Sequence, residues 1–131
     1  MTSCDAAPVP VVVEPDVDVP ADVRAASRAF ASPLRVAMLH ALAQEALSTA
    51  ELVAELDLPT RQTLPANLRA LEEAGAITGM PAPGHRRGRT VRWRTDTGRV
   101  RQLVEALQTF ASGRVPEAPA HHVTAVPPAV D

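Results

Sequence analysis

Aromatic residues are nearly missing from this chain of 131 residues: two Phe, one Trp and no Tyr, 2% in all. A core without large rings has to be filled by Leu, Val and Ala, which suits helices better than a sandwich of strands. Lysine is absent, so all 13 basic residues are arginine, and a GC-rich coding bias explains this better than selection for bidentate phosphate binding. Cysteine occurs once, as Cys4. That excludes an internal disulfide and an all-cysteine metal site within one chain, and it fits a reducing compartment. No stretch approaches the ~20 apolar residues of a membrane span, and the start lacks the basic segment and apolar run of a secretory signal. The expectation is a cytoplasmic protein with no membrane partner.

Apolar residues make up 46% of the chain, enough for one core at this length. The net charge of −2 is unevenly spread. Residues 1–23 hold five acids and no arginine, residues 24–114 hold all 13 arginines against eight acids, and residues 115–131 add two acids. The central segment is therefore net +5 and the ends are acidic. Four prolines fall in the first 20 residues and four in the last 16. Proline removes backbone donors and these ends bury little, so residues 1–20 and 114–131 are expected to be flexible, Pro-rich arms around a folded domain at 21–113. Val11 to Val13 could add a strand to a partner edge.

Inside the domain, Ala21 to Ala31 is a helix candidate. Ser32-Pro33 supplies an N-cap and a first-turn proline for a second helix to about Gln44, with Val36, Leu39, Leu42 and Ala43 on its apolar stripe. Ser48-Thr49-Ala50-Glu51 fits a capping box opening a third helix to about Leu56, buried through Leu52, Val53 and Leu56. After Asp57-Leu58-Pro59 a fourth helix is expected from about Arg61 to Ala74, closed by Gly75, with Leu64, Leu68 and Leu71 inward and Gln62, Ala66, Arg69 and Glu73 outward. Helix, short turn and helix with a polar outer face is a helix-turn-helix pattern. Thr90 to Thr95 alternates as a strand, Val91 and Trp93 on one face and Arg92 and Arg94 on the other, and pairs with Ala76 to about Met80. A fifth helix capped by Asp96 or Thr97 runs to about Ala111. The fold class is thus mainly α with a small β-hairpin, in the order α-α-α-α-β-β-α.

These elements resemble the ArsR-like winged helix-turn-helix regulators. The resemblance rests on Phe30 to Leu39 (FASPLRVAML), Thr49 to Leu56 (TAELVAEL) and Asn67 to Ile77 (NLRALEEAGAI), with the hairpin Gly84 to Thr95 looking like the wing. It covers roughly residues 22 to 112. It implies a homodimer paired through its first and last helices, with Val100, Leu103, Val104, Leu107 and Phe110 at the interface. It also implies recognition helices in successive major grooves and a role as a transcriptional repressor. Two features depart from the family. Glu51 to Glu55 reads ELVAE where metal-sensing members have a Cys-x-Cys pair, so no metal site or cofactor is carried over. Pro65 and Ala66 stand in the recognition helix where relatives commonly have a small hydroxyl and a basic residue.

Double-stranded DNA is the expected partner. Thr60, Arg61, Gln62 and Thr63 are placed at the start of the recognition helix, where N–H groups and the helix dipole favour phosphate. Ala66, Asn67 and Arg69 continue its outer face, and Gln62 and Arg69 are suited to adenine and guanine edges. Pro65 would be a fifth helical residue if the helix starts near Arg61, with a kink or widening, and a harmless second residue if it starts at Thr63. His85, Arg86, Arg87, Arg89, Arg92 and Arg94 give the wing five arginines and no acid in ten residues, suited to the minor groove or its phosphates. His40 and the His121-His122 pair lack further ligands. No phosphate loop, serine elbow or acid pair offers catalysis a home, so no enzyme is expected. The competing reading is a winged-helix protein-interaction module, favoured by Pro65, Ala66 and the Glu72-Glu73 pair. In a third reading the acidic N-terminal arm folds back on the wing.

Overall fold

Ser32 sets the first boundary of the fold. It is extended (φ −149°), its hydroxyl accepts from Arg35 N, and Pro33 follows in the first turn. An extended residue before proline cannot continue a helix, so α1 (Ala21–Ala29) stops two residues short of the predicted Ala31 and α2 (Pro33–Gln44) begins. The computed structural model describes residue 15 and residues 17–115. Most of both predicted arms, with Cys4, Val11 to Val13 and His121-His122, lies outside the described residues.

The elements that follow are β1 (Leu47–Ser48), α3 (Thr49–Glu55), α4 (Leu64–Glu73), β2 (Ile77–Met80), β3 (Arg92–Thr95) and α5 (Thr97–Ala111). Both halves of the predicted capping box are present at α3: Ser48 Oγ accepts from Glu51 N, and Glu51 Oε1 accepts from Ser48 N. That cap requires Ser48 to be extended, and with Leu47 it forms a strand too short for any periodicity to reveal. Leu47 pairs with Trp93 and Ser48 with Arg92, so the expected two-stranded hairpin is a three-stranded antiparallel sheet in the order β1-β3-β2. β3 starts at Arg92 rather than Thr90, because the β2 pairing ends at Met80↔Arg92 and the next residue, Pro81, has no N–H to offer.

The recognition helix differs most from expectation. It starts at Leu64, not near Arg61, which places Pro65 at its second position, where its missing N–H costs no helix bond. Its end follows the prediction. Gly75 adopts φ +80°, its N–H donates to Glu72 O, and Ala76 N–H donates to Leu71 O, which closes the helix in a Schellman turn and leads directly into β2. Asp57 (φ 53°) closes α3 in the same way, with Leu58 N–H on Val53 O.

The core is aliphatic. Met38, Leu42, Leu52, Leu64, Leu71, Ile77 and Leu103 are almost fully buried, and Trp93 lies inward from β3 as the alternation predicted. Two assignments are corrected. Val36 and Ala43 are exposed, since α2 turns Met38, Leu39, Ala41 and Leu42 inward instead. Leu103 was expected at an interface between copies, yet it is fully buried within this chain where α5 packs on α1. Thr95 Oγ1, also buried, donates to Leu39 O at 2.8 Å and so ties the sheet to α2.

Candidate nucleic-acid interface

The segment joining β2 to β3 owes its shape to two glycines. Ala82-Pro83-Gly84-His85 and Arg86-Arg87-Gly88-Arg89 are consecutive β-turns, closed by His85 N–H on Ala82 O and Arg89 N–H on Arg86 O. Gly84 (φ +92°) and Gly88 (φ +70°) occupy the third position, where left-handed backbone is needed, and Pro83 presets the second position of the first turn. This places Arg87 at a corner, with Arg87 and Arg89 both exposed.

Thr60, Arg61, Gln62 and Thr63 are exposed, but they form the turn before α4 rather than its first turn, with Gln62 N–H donating to Thr60 Oγ1. Ala66 and Arg69 are exposed on α4. Asn67 is half-buried and its amide is occupied: Arg35 Nε donates to Oδ1 at 2.8 Å, and Nδ2 donates to Thr63 O at 2.6 Å. It anchors the helix to α2 instead of presenting a free edge.

Hydrogen bonding separates the arginines of this face into two groups. Arg92 donates to both carboxylate oxygens of Glu51, at 2.8 and 3.3 Å, and to Ala46 O. Arg86 pairs with Glu72 at 2.7 Å, only 24% of its side chain exposed. That bond holds its guanidinium even further above the ordinary arginine range, partly opposed by burial. By contrast, Arg61, Arg69, Arg87, Arg89 and Arg94 are exposed and have no ion pair or side-chain hydrogen bond among the described residues. Arg61 and Arg89 come from segments far apart in sequence, yet they line one cavity of about 420 Å³ together with Ser48, Thr49 and Thr90. A second, smaller cleft runs between Pro65, Arg69 and Glu72 on α4 and Arg86 on the wing. The acidic pair that weighed against DNA is answered in place: Glu72 by Arg86, Glu73 by Arg28 at 3.9 Å.

Sequence periodicity missed these pairings, because each joins elements whose spacing only the fold sets. Of the predicted interface set on α5, Val104 is exposed, Val100, Leu107 and Phe110 are half-buried, and Leu103 is in the core. Val100 and Val104 line an apolar groove with Phe30, Val36, His40 and Ala43. His40 bonds Gln44 at 2.8 Å. Among the described residues no group of His, Cys, Asp and Glu could hold a metal, and no helix is long and apolar enough to cross a membrane.

Residues 30–79 match the family model for a helix-turn-helix domain. In fold the chain is similar to an ArsR-like transcriptional regulator from Rhodococcus sp. RHA1, with a TM-score of 0.56 and 22% identity over 70% of this chain and 79% of that one. It is also similar to an ArsR family transcriptional regulator with a TM-score of 0.52 and 20% identity, covering 76% of this chain and all of the other. A third likeness is to the homodimeric winged helix-turn-helix DNA-binding domain of a possible ArsR-family regulator from Mycobacterium bovis, with a TM-score of 0.50 and 24% identity over 77% of this chain and 88% of that one. No curated protein matches by sequence. At these identities the likeness is one of fold: a mainly helical winged helix-turn-helix with a small antiparallel sheet.

Proposed function

We propose that this winged helix-turn-helix chain binds double-stranded DNA as a cytoplasmic transcriptional regulator. The observation that carries the reading is the set of exposed arginines with no ion pair among the described residues: Arg61 before α4, Arg69 on it, Arg87 and Arg89 on the wing, and Arg94 on the outer face of β3. Arg61 and Arg89 line one cavity. Unpaired arginine keeps all its donors for phosphate, and releasing condensed counterions drives such binding. The exposed side of α4 carries Ala66 and Arg69, so in the major groove it reads few base edges directly. Wing contacts to the minor groove and phosphates then supply most of the affinity.

The protein acts as a homodimer in this reading. The Mycobacterium relative is homodimeric, and the groove lined by Val36, Val100 and Val104 leaves apolar surface uncovered on α2 and α5. Repression is the mode that the family resemblance implies.

Selection from random duplexes with the full chain tests the proposal. Enrichment of an inverted repeat, its half-sites about one helical turn or a multiple of it apart, is the expected result. Failure to enrich any sequence would leave the protein-interaction module as the better account.

A further inference from the structure

Of the two paired arginines in the most basic segment of the chain, Arg86 is the more fully engaged: only 24% of its side chain is exposed, against 53% for Arg92. Arg86 Nε donates to Pro81 O at 2.7 Å, Nη1 donates to Glu72 Oε1 at 3.3 Å, and Nη2 donates to Glu72 Oε2 at 2.7 Å and Gly79 O at 3.4 Å. Four of the five guanidinium N–H bonds are therefore directed inward. The guanidinium carbon also lies 4.9 Å from the centroid of the Trp93 ring, a stacking distance for a cation on an indole face. Gly79 makes room for this arrangement. A Cβ there would sit 2.6 Å from Trp93 Cζ3 and 2.8 Å from Arg86 Nη2, so even alanine would displace the stack.

We infer that Arg86 is a positioning residue: with Glu72 and Trp93 it clamps the wing to the C-terminal half of the recognition helix, and DNA affinity depends on it through wing placement rather than through a phosphate contact. The inference rests on the DNA-binding reading above. Glu72 belongs to α4, Trp93 to β3, and Pro81 and Gly79 to the base of the wing, so one side chain joins the three parts whose relative placement a duplex would sense. A wing held in its bound orientation loses less freedom on binding, and affinity rises without a new contact.

The clamp and a phosphate contact predict opposite signs for Glu72. If Glu72 is only a negative charge beside DNA, Glu72→Gln tightens binding. If it holds the clamp, Glu72→Gln weakens binding of a mixed-sequence duplex on the order of tenfold, the size of effect expected for a charge-assisted bond. Combined with Arg86→Ala, which already opens the clamp, Glu72→Gln then gives a slight tightening. Arg86→Lys retains the charge but not the forked geometry; it weakens binding about as much as Arg86→Ala under the clamp, whereas a phosphate contact would survive it.

Trp93 is the only tryptophan, so its fluorescence reports the clamp without DNA. Arg86→Ala and Glu72→Gln should shift its emission to the red and increase quenching by acrylamide, with helical circular dichroism unchanged. Tighter binding by the single Glu72→Gln variant, full binding by Arg86→Lys, or unaltered Trp93 emission in both variants overturns the clamp while DNA binding by the unsubstituted chain stands. No binding of duplex by the unsubstituted chain overturns the DNA reading and this inference together.

Discussion

Glu51 and Arg92, 41 residues apart, meet at 2.8 Å, and the same Glu51 oxygen accepts the backbone N–H of Ser48. One carboxylate thus completes the cap of α3 and fastens β3 to it. The Ser48 backbone bond, followed by the bond from Arg92, holds the Glu51 carboxyl below its ordinary range.

That shift fixes a sign for the pH dependence. A carboxyl whose folded pKa lies below its unfolded value, about 4.3 for glutamate, adds stability that is complete above that value and is lost as pH falls through the lowered one. Glu51→Gln should therefore be less stable than the unsubstituted chain at neutral pH, with the difference shrinking under acid. Urea unfolding at a series of pH values checks this; a constant difference down to strongly acidic pH would contradict it.

The unpaired arginines should be separable from the paired ones by salt. Each of Arg61→Ala, Arg87→Ala and Arg89→Ala is expected to reduce the log–log slope of affinity against salt by about 0.9, one phosphate contact each. Fluorescence anisotropy with labelled duplex across a salt series measures the slopes. Unchanged slopes in all three would remove these side chains from the interface.

Asp22 and Arg99 join the first helix to the last at 3.1 Å, with about a quarter or less of either side chain exposed, and Arg99 Nε also donates to Ala74 O. Removing Asp22 leaves a partly buried guanidinium with one partner fewer. Asp22→Ala should cost roughly 1–2 kcal/mol of folding stability, and a double-mutant cycle with Arg99→Ala should show coupling; additive effects would mean that the pair contributes little.

Gly75 is a sharper test of backbone geometry. Its φ of +80° and a Cβ position 3.1 Å from Arg99 Nε leave alanine strained as well as crowded. Gly75→Ala is expected to destabilise by about 1–2 kcal/mol, read from the denaturant midpoint.

On α5 two neighbours should behave differently. Leu103→Ala removes a fully buried side chain and should cost about 2–5 kcal/mol. Val104→Glu, at a position 46% exposed, should leave the fold intact and shift sedimentation from dimer to monomer. A dimer that survives Val104→Glu would place the interface elsewhere.

The local chemistry of the sequence determined several helix ends, though not the start of α4, which lies at Leu64 rather than near Arg61. Ser32-Pro33, the capping box at Ser48 and Glu51, Asp96 before α5 and Gly75 after α4 act within a few residues of themselves, so their outcome can be read without the fold. The leucines of α4 and the inward Trp93 were legible for the same reason, because helix and strand periods are local. The tertiary structure alone decided which arginines remain available. The wing reads as a uniform basic segment, yet Arg86 and Arg92 are claimed by Glu72 and Glu51, from helices far away in the chain, while Arg87, Arg89 and Arg94 are not. It also decided that β1 joins the sheet, that Asn67 turns to Arg35, and that Leu103 belongs to the core. Charge pairing and burial depend on distances through space, and residues 14 to 77 positions apart are brought into contact only when the core they share has formed.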